Sequence, residues 1–247
     1  STGAWCDMPL PIRAIRPQRF PLQDALAGAA FAISLARLSS SYTGAAAKIR
    51  RSNDNAESDF TAEEFLNGVA RAWVGAGNTA FVRTMYDQSG NGNDFGQATA
   101  ANQPDIDFTN LAMSAAAASQ RWVENATLTI TSNAFTFVTV AEVTARSGTN
   151  NRFGRYLSAY SSGSNDYGNT SGFNLTDENQ TSMTLYRNNA TIASAAIASL
   201  SQRYVLAVRC NGTSWSLWRN LVELQGTSSA TALNVNRLRI MNSWFGT

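Results

Sequence analysis

The spacing of hydrophobic residues changes near residue 80, and the change divides the chain into a helical part and a strand-rich part. Before this point apolar residues recur at intervals of three and four, which predicts helices over residues 23–38 and 62–73. The second helix begins with a capping box, in which the side chains of Thr61 and Glu64 satisfy free backbone amides. We expect these two helices to cap the strand-rich part.

After residue 80 apolar and polar positions alternate, and β-branched residues are frequent, which is typical of half-buried strands. Asn211-Gly212, between two such segments, is a strong hairpin signal. Many short strands joined by turns predict a mainly β protein, a jelly-roll-like sandwich of antiparallel sheets. The predicted strands cover residues 80–86, 127–130, 135–143, 155–159, 182–187, 203–210, 214–219 and 237–241.

Four of the five prolines lie in residues 1–21, and this predicts an extended arm because proline fixes φ and lacks an amide donor. The arm either straps its own domain or docks on a neighbouring subunit. Residues 22–247 are expected to form one sandwich domain, with the helical cap at about 23–75.

Composition excludes several function classes. The chain contains no His, which excludes Ser-His-Asp and Cys-His catalysis and His-ligated zinc. The net charge of +2 gives no strong attraction to nucleic acid, and no apolar run is long enough for membrane insertion. Cys6 and Cys210 form either one long-range disulfide or two free thiols.

Charged residues concentrate in two polar blocks, residues 38–60 and 86–94. One interpretation is structural: Asp87 pairs with Arg50 or Arg51 and braces the helical cap against the sandwich. The full ion-pair network predicted in this way contains Arg50, Arg51, Asp54, Asp59 and Asp87.

The other interpretation of the blocks is a ligand site. The candidate glycan-binding residues are Tyr86, Asp87, Asn91, Asn93, Asp94 and Trp244. Further aromatic candidates for stacking against sugars are Trp122, Trp215, Trp218, Tyr160 and Tyr167. The oxygens of residues 90–94 could also collect around Ca²⁺, but a Gly-Asn turn explains this segment without metal, and no cofactor is predicted.

The two blocks resemble the catalytic domain of the α-L-arabinofuranosidase B family, which implies a concanavalin A-like β-sandwich. The resemblance is strongest over residues 86–93 and continues upstream at Tyr42, Gly44, Arg51 and Asp54. The segment 39–59 is also similar to a module found in virion proteins of tailed phages. The resemblance covers residues 23–108 well and the remainder only by its general β pattern.

That family uses two carboxylates, which retaining glycosidases hold about 5–5.5 Å apart. Its nucleophile is a Glu in a Tyr-Gly-Asn-Ala-Glu context. Here the comparable residues 156–167 offer only Asp166 as an acid, and a second alignment places Ser171 at the Glu position. The family's general acid is an Asp that follows a late strand. Here the last predicted strand leads into residues 241–244, which contain no acid. No catalytic residue is therefore assigned, and the resemblance implies the fold without its catalytic pair.

From the resemblance we expect a non-enzymatic structural protein of a tailed-phage virion, in a tail, a fibre or a head decoration. Its expected partners are other virion subunits in a homo-oligomer, with host surface polysaccharide as the candidate ligand. Its expected location is the extracellular particle, assembled in the host cytoplasm. One alternative is a bacterial cell-surface lectin module. The other is an active glycoside hydrolase, whose carboxylate pair would be two of the residues Glu124, Glu142, Asp166, Asp177 or Glu178.

Overall fold

The computed structural model describes residues 28–115, 120–142, 154–162, 172–178, 182–196, 202–228 and 231–243. The α-helices are α1 (Ala62–Leu66) and α2 (Val69–Val74), and a 3₁₀ turn covers Ala100–Asn102. The strands are β1 (Ala45–Arg51), β2 (Glu57–Thr61), β3 (Ala80–Met85), β4 (Phe95–Gly96), β5 (Asp105–Asp107), β6 (Ala112–Ser114), β7 (Val123–Asn125), β8 (Ala134–Glu142), β9 (Gly154–Tyr160), β10 (Phe173–Glu178), β11 (Ser182–Arg187), β12 (Ala190–Ala196), β13 (Arg203–Asn211), β14 (Ser214–Arg219), β15 (Val222–Thr227) and β16 (Arg237–Ser243).

The strands form two antiparallel sheets. The large sheet runs β12-β11-β10-β9-β16-β7-β4-β3-β1-β2, with β5 and β6 attached beside β3. The small sheet runs β15-β14-β13-β8. This confirms the predicted mainly β fold, a jelly-roll-like sandwich with two short helices.

The core lies between the two sheets, where alternate residues of each strand point inward. Phe173 of the large sheet stacks on Phe135 of the small sheet at 5.0 Å and meets Trp215 edge-on at 5.4 Å. Burying an aromatic or aliphatic side chain stabilises the folded state by about 1.5–3 kcal/mol. These contacts between the inner faces therefore hold the two sheets together. The opposite face of the large sheet does not pack on the small sheet.

The helix predicted over residues 23–38 is wrong in its described part, since residues 28–38 contain no helix. The backbone here bonds to the second polar block instead. Ala32 N donates to Asp87 Oδ1 at 2.8 Å, and Leu38 N donates to Gln88 Oε1 at 2.7 Å. These tertiary hydrogen bonds outweigh the modest helix preference of an Ala-rich segment.

The helix predicted over residues 62–73 is two helices. Asn67 and Gly68 separate them, and Gly68 adopts φ 79°, a left-handed conformation that interrupts the helix. The capping box is confirmed: Glu64 N donates to Thr61 Oγ1 at 3.3 Å, and Thr61 N donates to Glu64 Oε2 at 2.7 Å.

The strands predicted at 182–187 and 214–219 match β11 and β14, and most others differ by one or two residues. The strand predicted at 127–130 is wrong, because only an isolated bridge from Ile130 to Val235 occurs there. Strands β1, β2, β10, β12 and β15, with several very short ones, were not predicted. The sequences of β1, β2 and β12 lack a clear alternation, and the alternation in β10 and β15 contains only two apolar residues each.

Several predictions fall on residues outside the described ranges: the arm at 1–21, Cys6, Asp166, Tyr167 and Trp244. Cys210 is buried, and burial raises the pKa of its thiol to about 11. Its thiol donates to Asn133 O at 3.1 Å. Within the described ranges, no helix is long and apolar enough to cross a membrane.

Candidate functional site

Asp87, at the start of the second polar block, is a buried hydrogen-bond acceptor that is only 4% exposed. Its Oδ1 accepts from Ala32 N and Ser89 N, both at 2.8 Å. Its Oδ2 accepts from Ser89 Oγ at 2.8 Å and from Asn93 N at 3.0 Å. The predicted pair with Arg50 or Arg51 is therefore wrong: the partners of this carboxylate are amides and a hydroxyl.

The asparagines of the same block hold the segment that precedes β1. Asn91 Nδ2 donates to Ala29 O at 2.9 Å, and Asn93 Nδ2 donates to Ala30 O at 2.7 Å. The polar atoms predicted to bind a glycan are thus largely engaged within the protein. We infer that residues 86–94 mainly act as a structural clasp.

Arg51, one of the two arginines predicted to pair with Asp87, instead pairs with Asp54 and contacts α2. Its guanidinium makes a two-point pair with Asp54, at 2.9 Å to Oδ1 and 2.7 Å to Oδ2. It also donates to Trp73 O in α2 at 2.9 Å and lies 4.6 Å from the Trp73 ring centre. The hydrogen bonds from Arg51 and the Ala56 amide lower the pKa of Asp54 to about 2.

Arg50 points to the opposite face of β1 and bonds to neutral acceptors. Its Nε donates to Gln103 Oε1 at 2.7 Å, and its Nη1 donates to Asn55 Oδ1 at 2.6 Å. Its guanidinium lies 4.4 Å from the centre of the Phe81 ring. The predicted single ion-pair network is therefore several separate clusters.

Asp59 and Tyr86 meet at the edge of the large sheet. Tyr86 donates its hydroxyl to Asp59 Oδ1 at 2.7 Å, and Lys48 Nζ lies 3.6 Å from Asp59 Oδ2. Burial raises the pKa of Tyr86, and the hydrogen bond to Asp59 and the charge of nearby Asp94 raise it further. Tyr86 is therefore a neutral hydroxyl donor.

This cluster is one end of a row of mostly polar residues that crosses the face of the large sheet away from the small sheet. We call it the polar row, and each member is the register partner of the next. The order is Asp59, Lys48, Thr84, Gly96, Glu124, Arg239, Ser158, Asn174, Tyr186 and Thr191. Non-local strand pairing thus brings residues from across the sequence into one line.

Gly96 leaves a gap in this row between Thr84 and Glu124. A Cβ built on Gly96 would meet only ordinary contacts, the nearest being Arg83 O at 3.6 Å. A glycine inside a strand often marks a place where a ligand approaches the backbone closely. The gap is therefore a candidate contact point for a ligand on the polar row.

Glu124 is the centre of the candidate site. Arg237 Nη1 donates to Glu124 Oε1 at 2.5 Å, Arg239 Nε donates to Oε2, and the Tyr160 hydroxyl donates to Oε2 at 3.0 Å. Arg239 also stacks over Trp122, 4.6 Å from the ring centre. Strand β16 places both arginines on one face by alternation, because Leu238 and Ile240 between and after them point into the core.

The electrostatics keep Glu124 ionised. Burial by itself raises the pKa of this carboxyl, but the hydrogen bonds and charges of Arg239 and Arg237, with the Tyr160 hydroxyl, lower it below its usual value. Burial raises the pKa of Tyr160, so its hydroxyl remains a proton donor in the hydrogen bond. The result is a charged carboxylate beside two half-buried aromatic rings.

The other carboxylate candidates lie elsewhere or outside the described side chains. Glu142 pairs with Arg203 at 3.1 Å on the small sheet. Asp177 is buried on β10, while Asp166 and the side chain of Glu178 are outside the description. Within the described residues, no group of three His, Cys, Asp or Glu side chains could hold a metal ion.

Sequence reasoning named Glu124, Trp122 and Tyr160 as separate candidates but missed Arg237 and Arg239. The available signal was the alternation Arg-Leu-Arg-Ile in β16, which places both arginines on one face. Of the other aromatic candidates, Trp215 is a core residue that is 1% exposed.

Fold and site together define a β-sandwich protein with a charged and aromatic face on its large sheet. Residues 25–212 match the family described as "Alpha-L-arabinofuranosidase B, catalytic". The chain belongs to this family. No curated protein matches it in sequence.

Solved structures support the same fold. A GH54 α-L-arabinofuranosidase soaked with a cyclic sulfate inhibitor superposes with a TM-score of 0.59 at 17% identity, over 86% of this chain and 55% of that chain. An arabinofuranosidase complexed with arabinofuranosyl-α-1,2-xylobiose superposes with a TM-score of 0.56 at 15% identity, over 87% of this chain and 57% of that chain. The chain thus corresponds to little more than half the length of these structures.

Proposed function

We propose that this protein acts on glycans bearing α-L-arabinofuranosyl units, as a glycoside hydrolase, and that the polar row around Glu124 is its site. The observation that carries the proposal is the ionised Glu124 carboxylate, held by Arg237, Arg239 and Tyr160 beside Trp122. Family membership and the substrate-related ligands of the similar structures support this choice of glycan.

Glu124 has the properties that a glycosidase nucleophile needs. It must be ionised, and the two guanidinium groups favour its charged form. It would attack the anomeric carbon as the glycosidic bond breaks, while a second carboxylic acid gives its proton to the leaving oxygen. Water would then cleave the glycosyl ester and return a proton to that second group.

The described hydrogen-bond partners of Glu124 are Arg237, Arg239 and Tyr160, so we place the second carboxylate among the residues whose side chains are not described. Asp166 is our candidate, because it follows Tyr160 closely in sequence and Tyr160 already contacts Glu124.

The test is turnover of an aryl α-L-arabinofuranoside. We expect Glu124→Gln and Asp166→Asn each to lower kcat/KM by at least about 100-fold. Glu142→Gln, which alters a carboxylate–arginine pair on the other sheet, is the matched control and should leave turnover unchanged. Turnover that survives Glu124→Gln would contradict the assignment.

A second candidate is glycan binding without hydrolysis. It is favoured by the absence of the family's Tyr-Gly-Asn-Ala-Glu motif and by the hydrogen bonds that occupy both oxygens of Glu124. In this case the wild-type protein would bind an arabinofuranosyl xylo-oligosaccharide in calorimetry but release no product during prolonged incubation.

A role in a phage virion, as a homo-oligomer among other virion subunits, is a separate proposal that rests on the resemblance of residues 39–59 alone. The mass of the full-length protein in solution tests the oligomer, and a monomer at all concentrations would count against it. Mass spectrometry of purified phage particles tests the location.

A further inference from the structure

The charges on the face that carries the polar row do not balance locally. Three carboxylates each have one basic partner: Glu57 with Arg83 at 3.7 Å, Asp59 with Lys48 at 3.6 Å, and Asp105 with Arg121. Glu124, by contrast, serves two guanidinium groups at once. Among the described side chains, one positive charge is therefore in excess around Glu124.

A second excess charge is Arg50. The described partners of its guanidinium are the neutral oxygens of Gln103, Asn55 and Ala100. These bonds and the Phe81 ring fix its orientation without neutralising it. A fixed guanidinium beside solvent is a good partner for a carboxylate, because two parallel N–H bonds can form.

The two excess charges lie on the same face, at either side of the Gly96 gap. Arg50 is on β1 and Glu124 on β7, with β3 and β4 between them. At about 4.8 Å per strand, the separation across the sheet is roughly 15 Å. An oligosaccharide that lies over Gly96 could contact both positions.

We infer that the natural ligand of this face is an acidic glycan, one that carries a uronic-acid carboxylate in addition to its arabinofuranosyl units. Arg50 binds that carboxylate, and the surplus charge around Arg237 and Arg239 attracts it. The inference rests on the proposed function and specifies the substrate class of the same site.

The experiment is calorimetric titration of the Asp166→Asn protein, in which the proposed hydrolysis is suppressed, with an arabinoxylo-oligosaccharide that bears glucuronic acid and with the same compound after chemical reduction of its carboxyl group. The substitutions below are made in the same background. We expect the acidic compound to bind at least about tenfold more tightly, since one charge-assisted hydrogen-bond pair is lost on reduction. High salt should shrink the difference because it screens exposed charges.

Arg50→Gln should abolish most of the preference for the acidic over the reduced compound. Arg50→Lys should retain part of this preference, because lysine keeps the positive charge but lacks the planar guanidinium group that bonds a carboxylate at two points. Arg71→Gln removes an exposed arginine of α2 and is the control that should keep the preference. Thermal unfolding verifies that each variant is folded.

Equal affinity for the acidic and the reduced compound would overturn the inference and leave the proposed function standing. A lack of binding to both compounds would overturn the proposed function itself. A preference that persists in folded Arg50→Gln would contradict the assignment of Arg50.

Discussion

Two buried or half-buried carboxylates show how position decides the role of a residue. Asp87 is surrounded by backbone amides and a hydroxyl, whereas Glu124 is surrounded by guanidinium groups and a phenol. The first arrangement fixes a loop, and the second keeps a charge ready on a sheet face. In the sequence each is simply an acidic residue. Their roles could not be distinguished before the hydrogen-bond partners of each carboxylate were known.

Asp87→Asn should lower the free energy of unfolding by about 3 kcal/mol, since the amide group replaces an acceptor with a donor in a buried site. Urea denaturation measures the loss. Asp107→Asn, the same change in a more exposed turn, should cost clearly less. An unchanged stability for Asp87→Asn together with lost glycan binding would restore the ligand interpretation of this block.

The stabilising contribution of Glu124 should be lost in acid. Its pKa is lowered in the folded state, so its contribution is present above the unfolded value, about 4.3, and is lost as the pH falls toward the folded value. Denaturation at several pH values should show this decline in the wild type and a shallower one in Glu124→Gln. Equal slopes would show that Glu124 is not held by its arginines.

Gly96→Val should leave the fold intact and weaken glycan binding by at least about tenfold. The added side chain begins in ordinary contact distance and fills the gap in the polar row. Calorimetry measures the affinity, and thermal unfolding verifies the fold. A folded Gly96→Val variant with wild-type affinity would show that the ligand does not bind over Gly96.

At the scale of elements, the sequence predicts those whose stabilisation is local. The capping box of α1 and the alternating strands β11 and β14 follow from neighbouring residues alone. Residues 28–38 were predicted as helix because their Ala-rich pattern is local, while the hydrogen bonds that hold them come from residues about 50 positions later. Strand β10 was missed because its alternation, Phe-Asn-Leu-Thr, contains only two apolar residues and then gives way to Asp177 and Glu178.

Gly68→Ala distinguishes one helix from two. In a continuous helix alanine would stabilise the protein, but at φ 79° it should lower the free energy of unfolding by about 1–2 kcal/mol. A Cβ at this position meets nothing within 4 Å, so backbone strain alone determines whether the free energy of unfolding rises or falls. A stabilised variant in chemical denaturation would show that the interruption is not required.

At the scale of the whole molecule, the sandwich determines the site. Short-range patterns and the family resemblance were sufficient for the fold class. The polar row could not be predicted, because it depends on the register of ten strands that are mostly distant in sequence. Only that register brings Glu124, Arg239 and Lys48 into one line on the face away from the small sheet.

The position of a bound ligand tests this assignment most directly. We predict that a crystal structure of the protein with an arabinofuranosyl xylo-oligosaccharide will show the sugar over Gly96, in contact with Glu124 and the Trp122–Tyr160 side of the polar row. A sugar bound to residues 86–94 or to the outer face of the small sheet, with the polar row empty, would contradict it.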